Sequence, residues 1–294
     1  MSWRTVILAK EAKLTLRMGH LIVSGETVNR VPLEEISFLL IENPNIQLTG
    51  HLINALSHHH IVTLICDANM KPSSVVNSVY GHHRQSRIIA QQATWTEERK
   101  GMLWQEITKQ KIENQRQLLI HLKKEGIDEL SMFRDQVEVF DTTNREGHAA
   151  KVYFNRLYGQ DFTRSIDEPR NWALNYGYVV IHSLIARQIV SRGYLTELGI
   201  FHANEFNQMN LASDFVEVFR PLVDYIVHEH ITDTFGKDEK RKVLKMLEYK
   251  VQIRNSKQFL QAAVQVYLDS CLQYLNDGHK EKLLFPILDF PKAR

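Results

Sequence analysis

Residues 85–122 read QSRIIAQQATWTEERKGMLWQEITKQKIENQRQLLIHL, and this stretch marks a change in the hydrophobic pattern of the chain. Its large apolar side chains recur at steps of three and four residues, which is the period of an α-helix. The same period recurs over 149–157, 174–189, 215–227, 243–251 and 259–275. We therefore predict that the chain is helical from residue 85 onwards.

The residues before this stretch have the pattern of short β-strands. Apolar or alternating runs occur at 6–8, 14–18, 21–23, 36–41 and 61–66, with turn residues between them. One short helix is predicted at 50–60, and a polar connection follows at 67–84. The predicted fold class is α+β, with a small N-terminal β-rich domain over residues 1–80 and a larger all-α domain over 81–294.

Composition excludes several classes of protein. The longest apolar runs of the 294-residue chain have six residues, far too few to span a membrane, and the N-terminal residues lack the features of a signal peptide. The two cysteines, Cys66 and Cys271, have no metal-type spacing. We expect a soluble cytoplasmic protein without disulfides.

Charge is nearly balanced over the chain but not locally. The 36 Lys and Arg residues against 34 Asp and Glu give a net charge of +2, which neither indicates nor excludes nucleic acid. Residues 237–257 carry eight basic and three acidic side chains, and form either a solvated helix face or a phosphate-binding strip. The triplet His58–His60 indicates either a metal site or a solvated helix end.

The first candidate site stretch is 199–221, GIFHANEFNQMNLASDFVEVFRP. Ser213 is a plausible N-cap for the helix that follows, which places Asp214 and Glu217 on one face near the positive helix end. They are either surface carboxylates stabilised by the helix dipole or ligands of Mg²⁺ or Mn²⁺. His202 lies on a polar loop that can fold back over the helix start.

The second candidate stretch is 140–154, FDTTNREGHAAKVYF. Thr142 or Thr143 can cap the helix, and Glu146 falls beside its packing face. The Glu146 carboxylate either completes a capping box and pairs with Arg145, or it points into a groove. Spacing alone does not join Glu146 to the residues of the first stretch.

Several separated motifs together resemble one known family. They are Trp3–Val6, Tyr80-Gly81, 104–115 (WQEITKQKIENQ), 144–154 (NREGHAAKVYF), 175–178 (NYGY), 201–204 (FHAN) and 213–221 (SDFVEVFRP). In this order and spacing, and over nearly the whole chain, they resemble the CRISPR spacer-acquisition integrase of type II systems. The resemblance implies an N-terminal β domain that contributes to dimerisation and a helical catalytic domain.

The resemblance also implies a catalytic site and a reaction. The metal ligands would be Glu146, His202 and Glu217, with Asp214 as an auxiliary acid, and the metal would be Mg²⁺ or Mn²⁺. The reaction would be transesterification, in which prespacer 3′-hydroxyl ends attack the phosphodiesters at the ends of a CRISPR repeat. Two other interpretations stay open: a metal-dependent endonuclease on branched or single-stranded DNA, and a DNA-binding scaffold subunit.

The implied partners are double-stranded prespacer DNA, CRISPR leader-repeat DNA and other protein chains. Two integrase homodimers would be bridged by a dimer of a small ferredoxin-like adaptation protein, with no membrane involved. Residues 8–13 contain no ring that could wedge a duplex end. The candidates for DNA contact are Arg84, Arg87, Arg145, Lys151, Arg220, Lys240 and Arg241, although Arg220 can instead orient Glu217 through an i,i+3 ion pair.

Overall fold

The computed structural model describes residues 4–68, 72–76 and 82–290, and the chain divides into two compact units. One unit comprises Met1–Ser86 with Ala186–Tyr194, and the other comprises Arg87–Ile185 with Leu195–Arg294. The boundary predicted between residues 80 and 81 and the motif residues Trp3, Tyr80 and Gly81 lie outside the described residues.

The first unit is built mainly from strands. Its elements are β1 (Arg4–Leu8), β2 (Lys13–Arg17), β3 (His20–Ser24), β4 (Val28–Pro32), β5 (Ile36–Ile41), β6 (Gln47–Leu48), α1 (Gly50–His58), β7 (Val62–Cys66) and β8 (Pro72–Val76). They form two four-stranded sheets, ordered β1-β5-β7-β8 and β4-β3-β2-β6. The β-rich N-terminal region predicted from the sequence is therefore confirmed.

Buried leucine and isoleucine side chains explain this arrangement. Strand β5 pairs in parallel with both β1 and β7, and all six of its residues are buried. A central parallel strand covered on both faces reads as a continuous apolar run, as β5 does. Leu14 and Leu21 of the second sheet and Leu52 of α1 join β5 in one core cluster.

Three strands of this unit, β4, β6 and β8, were not predicted from the sequence, and each lies at the edge of a sheet. β4 and β8 each pair with one neighbour at the edge of a sheet. Edge strands tolerate polar side chains and proline because one side of their backbone needs no partner strand. Arg30 and Ser73 therefore obscure the apolar alternation by which a strand is recognised.

The second unit is mainly helical, as predicted. Its helices are α2 (Gln85–Gln92, which begins at the unit boundary), α3 (Glu97–His121), α4 (Ile127–Asp135), α5 (Arg145–Tyr158), α6 (Pro169–Ser191, whose end belongs to the first unit), α7 (Asn210–Val216), α8 (Arg220–His230), α9 (Lys237–Leu244) and α10 (Leu260–Asp277). The 3₁₀ turn Glu217–Phe219 joins α7 directly to α8.

The helix expected over 243–251 is wrong, and the larger domain contains a hairpin that the all-α prediction lacked. Helix α9 ends at Leu244, a 3₁₀ turn covers Lys245–Glu248, and the strands β9 (Lys250–Ile253) and β10 (Ser256–Phe259) follow. The turn between these antiparallel strands holds Arg254 and Asn255 at φ of 52° and 59°. Such two-residue turns favour asparagine because both central residues need positive φ.

Helix α3 is the scaffold of the second unit. Its N-terminus is capped by Thr96, whose Oγ1 accepts the backbone N–H of Arg99 at 3.3 Å. The helix packs against α4, α5, α8 and α10. The C-terminal segment docks in this unit, since Ile287 pairs with Gln252 of β9. Among the described residues, no helix combines the length and hydropathy that a membrane span requires.

Candidate active site

Glu146 and Glu217 meet at the side chain of Lys111. The ammonium of Lys111, on α3, donates hydrogen bonds to Oε1 of Glu146 and to Oε2 of Glu217. Lys111 is 6% exposed and Glu217 is 4% exposed, so this contact is largely shielded from water. Burial alone would lower the pKa of Lys111, but the charges of Glu217 and Glu146 raise it above its usual range.

Glu146 is held in the first turn of α5 by an aspartate that the sequence analysis did not consider. Asp141 Oδ1 accepts the backbone N–H of Arg145 at 2.8 Å, and Oδ2 accepts that of Glu146 at 2.9 Å. Asp141 thus satisfies two N–H groups that a helix start leaves unpaired. The cap predicted at Thr142 or Thr143 is wrong.

Glu217 lies in the 3₁₀ turn between α7 and α8, and three other groups fix its position. Its Oε1 accepts the guanidinium of Arg220 at 2.9 Å, as the i,i+3 interpretation expected. Arg220 also stacks over the ring of Tyr178, 4.8 Å from the centroid. One residue beyond Glu217, the carbonyl of Val218 accepts Nδ2 of Asn114 at 2.8 Å. Burial opposes ionisation, but the charges of Arg220 and Lys111 lower the pKa of Glu217.

His202 is held by Asp214 through both its ring and its backbone. Asp214 Oδ1 lies 2.7 Å from Nδ1 of His202 and accepts its backbone N–H at 3.0 Å. Asp214 Oδ2 also accepts the backbone N–H of Ile200 at 2.5 Å. The hydrogen bond from the imidazole to Asp214 raises the pKa of His202. Asp214 therefore lies behind His202 and closes the loop before α7.

The N-cap predicted at Ser213 is wrong. Helix α7 begins three residues earlier, at Asn210, and Ser213 lies within it. The Ser213 hydroxyl donates to the carbonyl of Met209 at 3.1 Å and lies 3.1 Å from Nε2 of His182. Burial, together with the charge of Arg220, lowers the pKa of His182 to about 4.

Aromatic contacts connect the His202 loop to α3. The rings of Trp104 and Phe201 stack with centroids 4.3 Å apart and planes within 6°. Trp104 also meets the ring of His202 edge-on, at 5.6 Å and 89°. Trp104 and Lys111 are seven residues apart, which places them on the same face of α3. One helix face thus contacts all three predicted ligands.

A cleft of about 540 Å³ opens beside His202. Its polar lining includes Gln92, Lys100, Asn204 and Asn207. Gln92 is itself buried and donates to the carbonyls of Leu195 and Leu198, at 2.9 and 3.1 Å. The cleft is therefore bounded by a loop with fixed backbone positions.

The donor groups fit a hard divalent cation in type and in charge. Within the described ranges, no three His, Cys, Asp or Glu side chains form a group that could hold a metal ion as they stand. Two carboxylates do converge on one cationic atom, Nζ of Lys111. Carboxylate oxygen and imidazole nitrogen are donors that Mg²⁺ and Mn²⁺ accept, and with Nδ1 of His202 bound to Asp214, Nε2 is the ring's other donor atom.

Comparison with known proteins identifies the family. The family model described as CRISPR associated protein Cas1 matches residues 5–263. A CRISPR-associated endonuclease Cas1 from Neisseria meningitidis serogroup C (strain 8013) is 34% identical over 294 residues, which covers 97% of this chain and 96% of the relative. The chain belongs to the Cas1 family. The resemblance found in the sequence motifs is therefore confirmed.

A more distant Cas1 relative and two solved structures are also similar to this chain. A CRISPR-associated endonuclease Cas1 1 from Pyrobaculum aerophilum is 28% identical over 225 residues, covering 68% of this chain and 72% of that relative. A casposase bound to integration product has the same fold, with a TM-score of 0.81, 19% identity, and coverage of 100% and 96% of the two chains. A Cas1 protein from Thermotoga maritima gives a TM-score of 0.73 at 14% identity, covering 93% and 97%.

The structure separates the candidate DNA-contact residues of this Cas1 chain into exposed and engaged groups. The exposed ones are Arg84, Arg87, Lys151 and Arg241, of which Arg241 also pairs with Asp238 at 3.3 Å. Arg145 is half-buried, and Arg220 is engaged by Glu217. Lys240 is buried, with its ammonium 5.5 Å from the centroid of the Tyr176 ring, so it is poorly placed to contact a phosphate.

The histidine triplet His58–His60 is exposed at the end of α1. His60 Nδ1 lies 3.0 Å from the guanidinium of Arg187, and no metal-type grouping includes the triplet within the described part of the chain. Cys66 and Cys271 are both buried, and neither forms a disulfide bond.

Lys111, like Asp141, was missed by the sequence analysis, although the sequence holds a signal for it. It lies four residues after Ile107 and seven after Trp104, on a face of α3 that is otherwise buried. A lysine on such a face is rarely fully buried unless an acid pairs with it. The sequence does not reveal which acids those are, because Glu146 and Glu217 lie 35 and 106 residues away.

Proposed function

We propose that this Cas1-family chain is a metal-dependent DNA integrase of CRISPR adaptation. By transesterification, each 3′-hydroxyl end of a double-stranded prespacer would attack a phosphodiester at an end of a CRISPR repeat. A new P–O bond to the prespacer would form as the existing P–O bond of the repeat strand breaks and the 3′-hydroxyl of the cleaved strand leaves. The observation that carries the proposal is the convergence of Glu146 and Glu217, from separate elements, on one cation position. The fold shared with a casposase bound to integration product supports the same class of reaction.

The cation, Mg²⁺ or Mn²⁺, would be held by Glu146, Glu217 and Nε2 of His202. When bound, it supplies Lewis-acid stabilisation of the charge that develops on the reacting phosphate. Arg220 keeps Glu217 ionised, as the cation requires. Asp214 holds His202 in the tautomer that donates from Nδ1, so that Nε2 presents its lone pair. We assign His202 as a ligand rather than as a proton acceptor.

DNA would be held by the exposed basic side chains and by the cleft beside His202. Arg84, Arg87, Lys151 and Arg241 are exposed and can contact phosphates, which position the duplex without reading its sequence. Asn204 and Asn207 of the cleft can donate hydrogen bonds to a DNA strand. The duplexes would be prespacer DNA and CRISPR leader-repeat DNA.

The working assembly would be two homodimers of this chain bridged by a dimer of a small ferredoxin-like partner. Two structural neighbours are Cas6-RT-Cas1–Cas2 complexes, with TM-scores of 0.75 and 0.64 at 19% and 18% identity. They cover 98% of this chain in both cases, and 36% and 99% of the neighbouring chains. We propose that the N-terminal β-rich unit contributes to the homodimer contact and that the protein works in the cytoplasm, where its DNA substrates are found.

A strand-transfer assay tests this function against its alternatives. The purified chain and its partner are incubated with a 3′-hydroxyl duplex, a supercoiled plasmid carrying a leader and repeat, and Mn²⁺ or Mg²⁺. We expect covalent joining by wild type and by Asp161→Ala, which removes an exposed carboxylate just after α5, and none by Glu217→Ala.

Two other outcomes would contradict the proposal. Nicking without joining would indicate a metal-dependent endonuclease acting on branched or single-stranded DNA. Joining that neither chelation nor Glu217→Ala reduces would indicate a DNA-binding scaffold subunit whose site is not used.

A further inference from the structure

The position shared by Glu146 and Glu217 already contains a positive charge. Lys111 Nζ contacts both carboxylates, and its side chain extends from a helix interior rather than from a mobile loop. Glu146 is fixed by the start of α5, and Glu217 is fixed by Arg220 and by the neighbouring contact of Asn114. The two acids are therefore held together by a cation that belongs to the chain.

Lys111 and a metal ion at this position would compete, because the two cations need the same space and the same negative charge. Both cations need the oxygens that face the shared position, and a divalent ion a few ångströms from an ammonium in a poorly hydrated site repels it strongly. Without any cation, the two carboxylates would repel each other and their desolvation would be uncompensated. Lys111 thus stabilises the ligand arrangement in metal-free protein and opposes entry of the metal.

We propose that Lys111 is a resident counter-ion that pre-assembles the Glu146–Glu217 pair and is displaced when a divalent cation binds there. This inference rests on the metal dependence in the proposed function. Lys111 is a positioning residue in this scheme, because it acts through the two carboxylates. The displaced ammonium needs another anion, and the phosphodiester of bound DNA belongs to the class of anion that the site would receive.

The test measures Mn²⁺ binding to the full chain without DNA, by calorimetry and by thermal unfolding. Lys111→Met removes the charge and keeps most of the side-chain volume. The matched control is Lys109→Met on the same helix, because Lys109 pairs with the surface acid Glu106 at 3.8 Å. We expect Lys111→Met to bind Mn²⁺ at least about ten-fold more tightly than wild type, to melt lower without metal, and to gain more from Mn²⁺. Lys109→Met should match wild type in all three measurements.

A double variant shows whether Lys111→Met melts lower without metal because it loses a charge or because it loses packing. Glu146→Gln combined with Lys111→Met removes one charge of each sign, so its melting temperature without metal should exceed that of Lys111→Met alone. Recovery in this double variant supports the inference even if Lys111→Met does not fold without Mn²⁺. A double variant that melts no higher than Lys111→Met would show that Lys111 acts by packing, and would overturn it.

The metal titration distinguishes failure of this inference from failure of the proposed function. Mn²⁺ binding to wild type that Lys111→Met leaves unchanged or weakens overturns the displacement alone. Binding by Lys111→Met but not by wild type supports it. Absence of Mn²⁺ binding in wild type and in Lys111→Met overturns both the displacement and the metal dependence.

Discussion

The carboxylate of Asp214 binds His202 at two points, 2.7 Å from Nδ1 of the ring and 3.0 Å from the backbone nitrogen. The same carboxylate accepts the backbone N–H groups of Ile200 and Phe201. Asp214 is fully buried. One side chain therefore determines both the conformation of the loop and the orientation of the imidazole.

Asp214→Asn should disrupt the His202 loop. The amide has one acceptor oxygen in place of two, and its NH₂ group would face backbone N–H donors. Because buried hydrogen bonds to a charged group are lost, we expect a decrease of about 2–4 kcal/mol in the free energy of unfolding, together with loss of DNA joining. Urea unfolding measures the first effect, with exposed Glu205→Gln as the control. Unchanged stability would show that the loop does not depend on Asp214.

Gly199→Ala should displace the same loop by overpacking. A Cβ at this position would lie 2.2 Å from the carbonyl oxygen of His202 and 2.9 Å from Oδ2 of Asp214. Such overpacking costs about 1–3 kcal/mol, so we expect a lower melting temperature and reduced joining. At Gly50 in α1, a Cβ would meet nothing within 4 Å, so Gly50→Ala is the control. Equal melting temperatures for the two variants would contradict this account of the loop.

Asn114→Ala should loosen the turn that holds Glu217. The buried amide donates to the carbonyl of Val218 at 2.8 Å and to that of Pro286 at 3.2 Å, and its oxygen accepts the N–H of Leu288 at 3.3 Å. Losing these bonds should lower the free energy of unfolding by about 2–4 kcal/mol. Chemical denaturation measures the loss, with exposed Gln91→Ala as the control. A decrease no larger than that of Gln91→Ala would show that the turn is held by other contacts.

Asp224 should make stability fall as pH rises. Tyr153 and Tyr178 both donate to its buried carboxylate, yet burial dominates and raises the pKa of Asp224 to about 6. A carboxyl whose folded pKa exceeds its unfolded value stabilises the fold at low pH, and this contribution is lost as pH rises through the folded pKa. Relative to Asp224→Asn, wild type should lose about 2 kcal/mol between about pH 4.5 and about pH 7.5.

The pH experiment compares urea unfolding of the two proteins at several pH values. The constant cost of replacing the carboxyl by an amide cancels, since only the change in the difference with pH is interpreted. A difference between wild type and Asp224→Asn that is independent of pH would contradict the shifted titration of Asp224.

Hydrophobic periodicity predicted the elements whose apolar residues are buried. It failed at the edge strands and at the hairpin, where polar residues interrupt the apolar pattern. Strand β5 and helix α3 follow directly from their apolar patterns, because packing selects apolar residues at each buried position. The hairpin of β9 and β10 was missed because its first strand begins six residues after α9 ends, within a basic segment. Its turn depends on positive φ at Arg254 and Asn255.

The candidate site residues were predicted from motifs, but their arrangement was not. Glu146, His202 and Glu217 were identified by resemblance, and no feature of spacing could join elements that meet only after folding. Asp141, which positions Glu146, could have been considered as a cap, because an aspartate close to a helix start commonly accepts N–H groups there. The contacts of Lys111 could be identified only from the structure, because its two partners are distant in sequence.

The most direct measurement of the central claim is the initial rate of DNA joining in Mn²⁺ for wild type, Glu146→Gln, Glu217→Gln and the double variant. If both carboxylates hold one catalytic cation, each single variant should lose at least about 10³-fold, and the double variant should lose no more than the worse single one. Joining by Glu217→Gln at the wild-type rate, or losses that multiply in the double variant, would contradict a shared cation site.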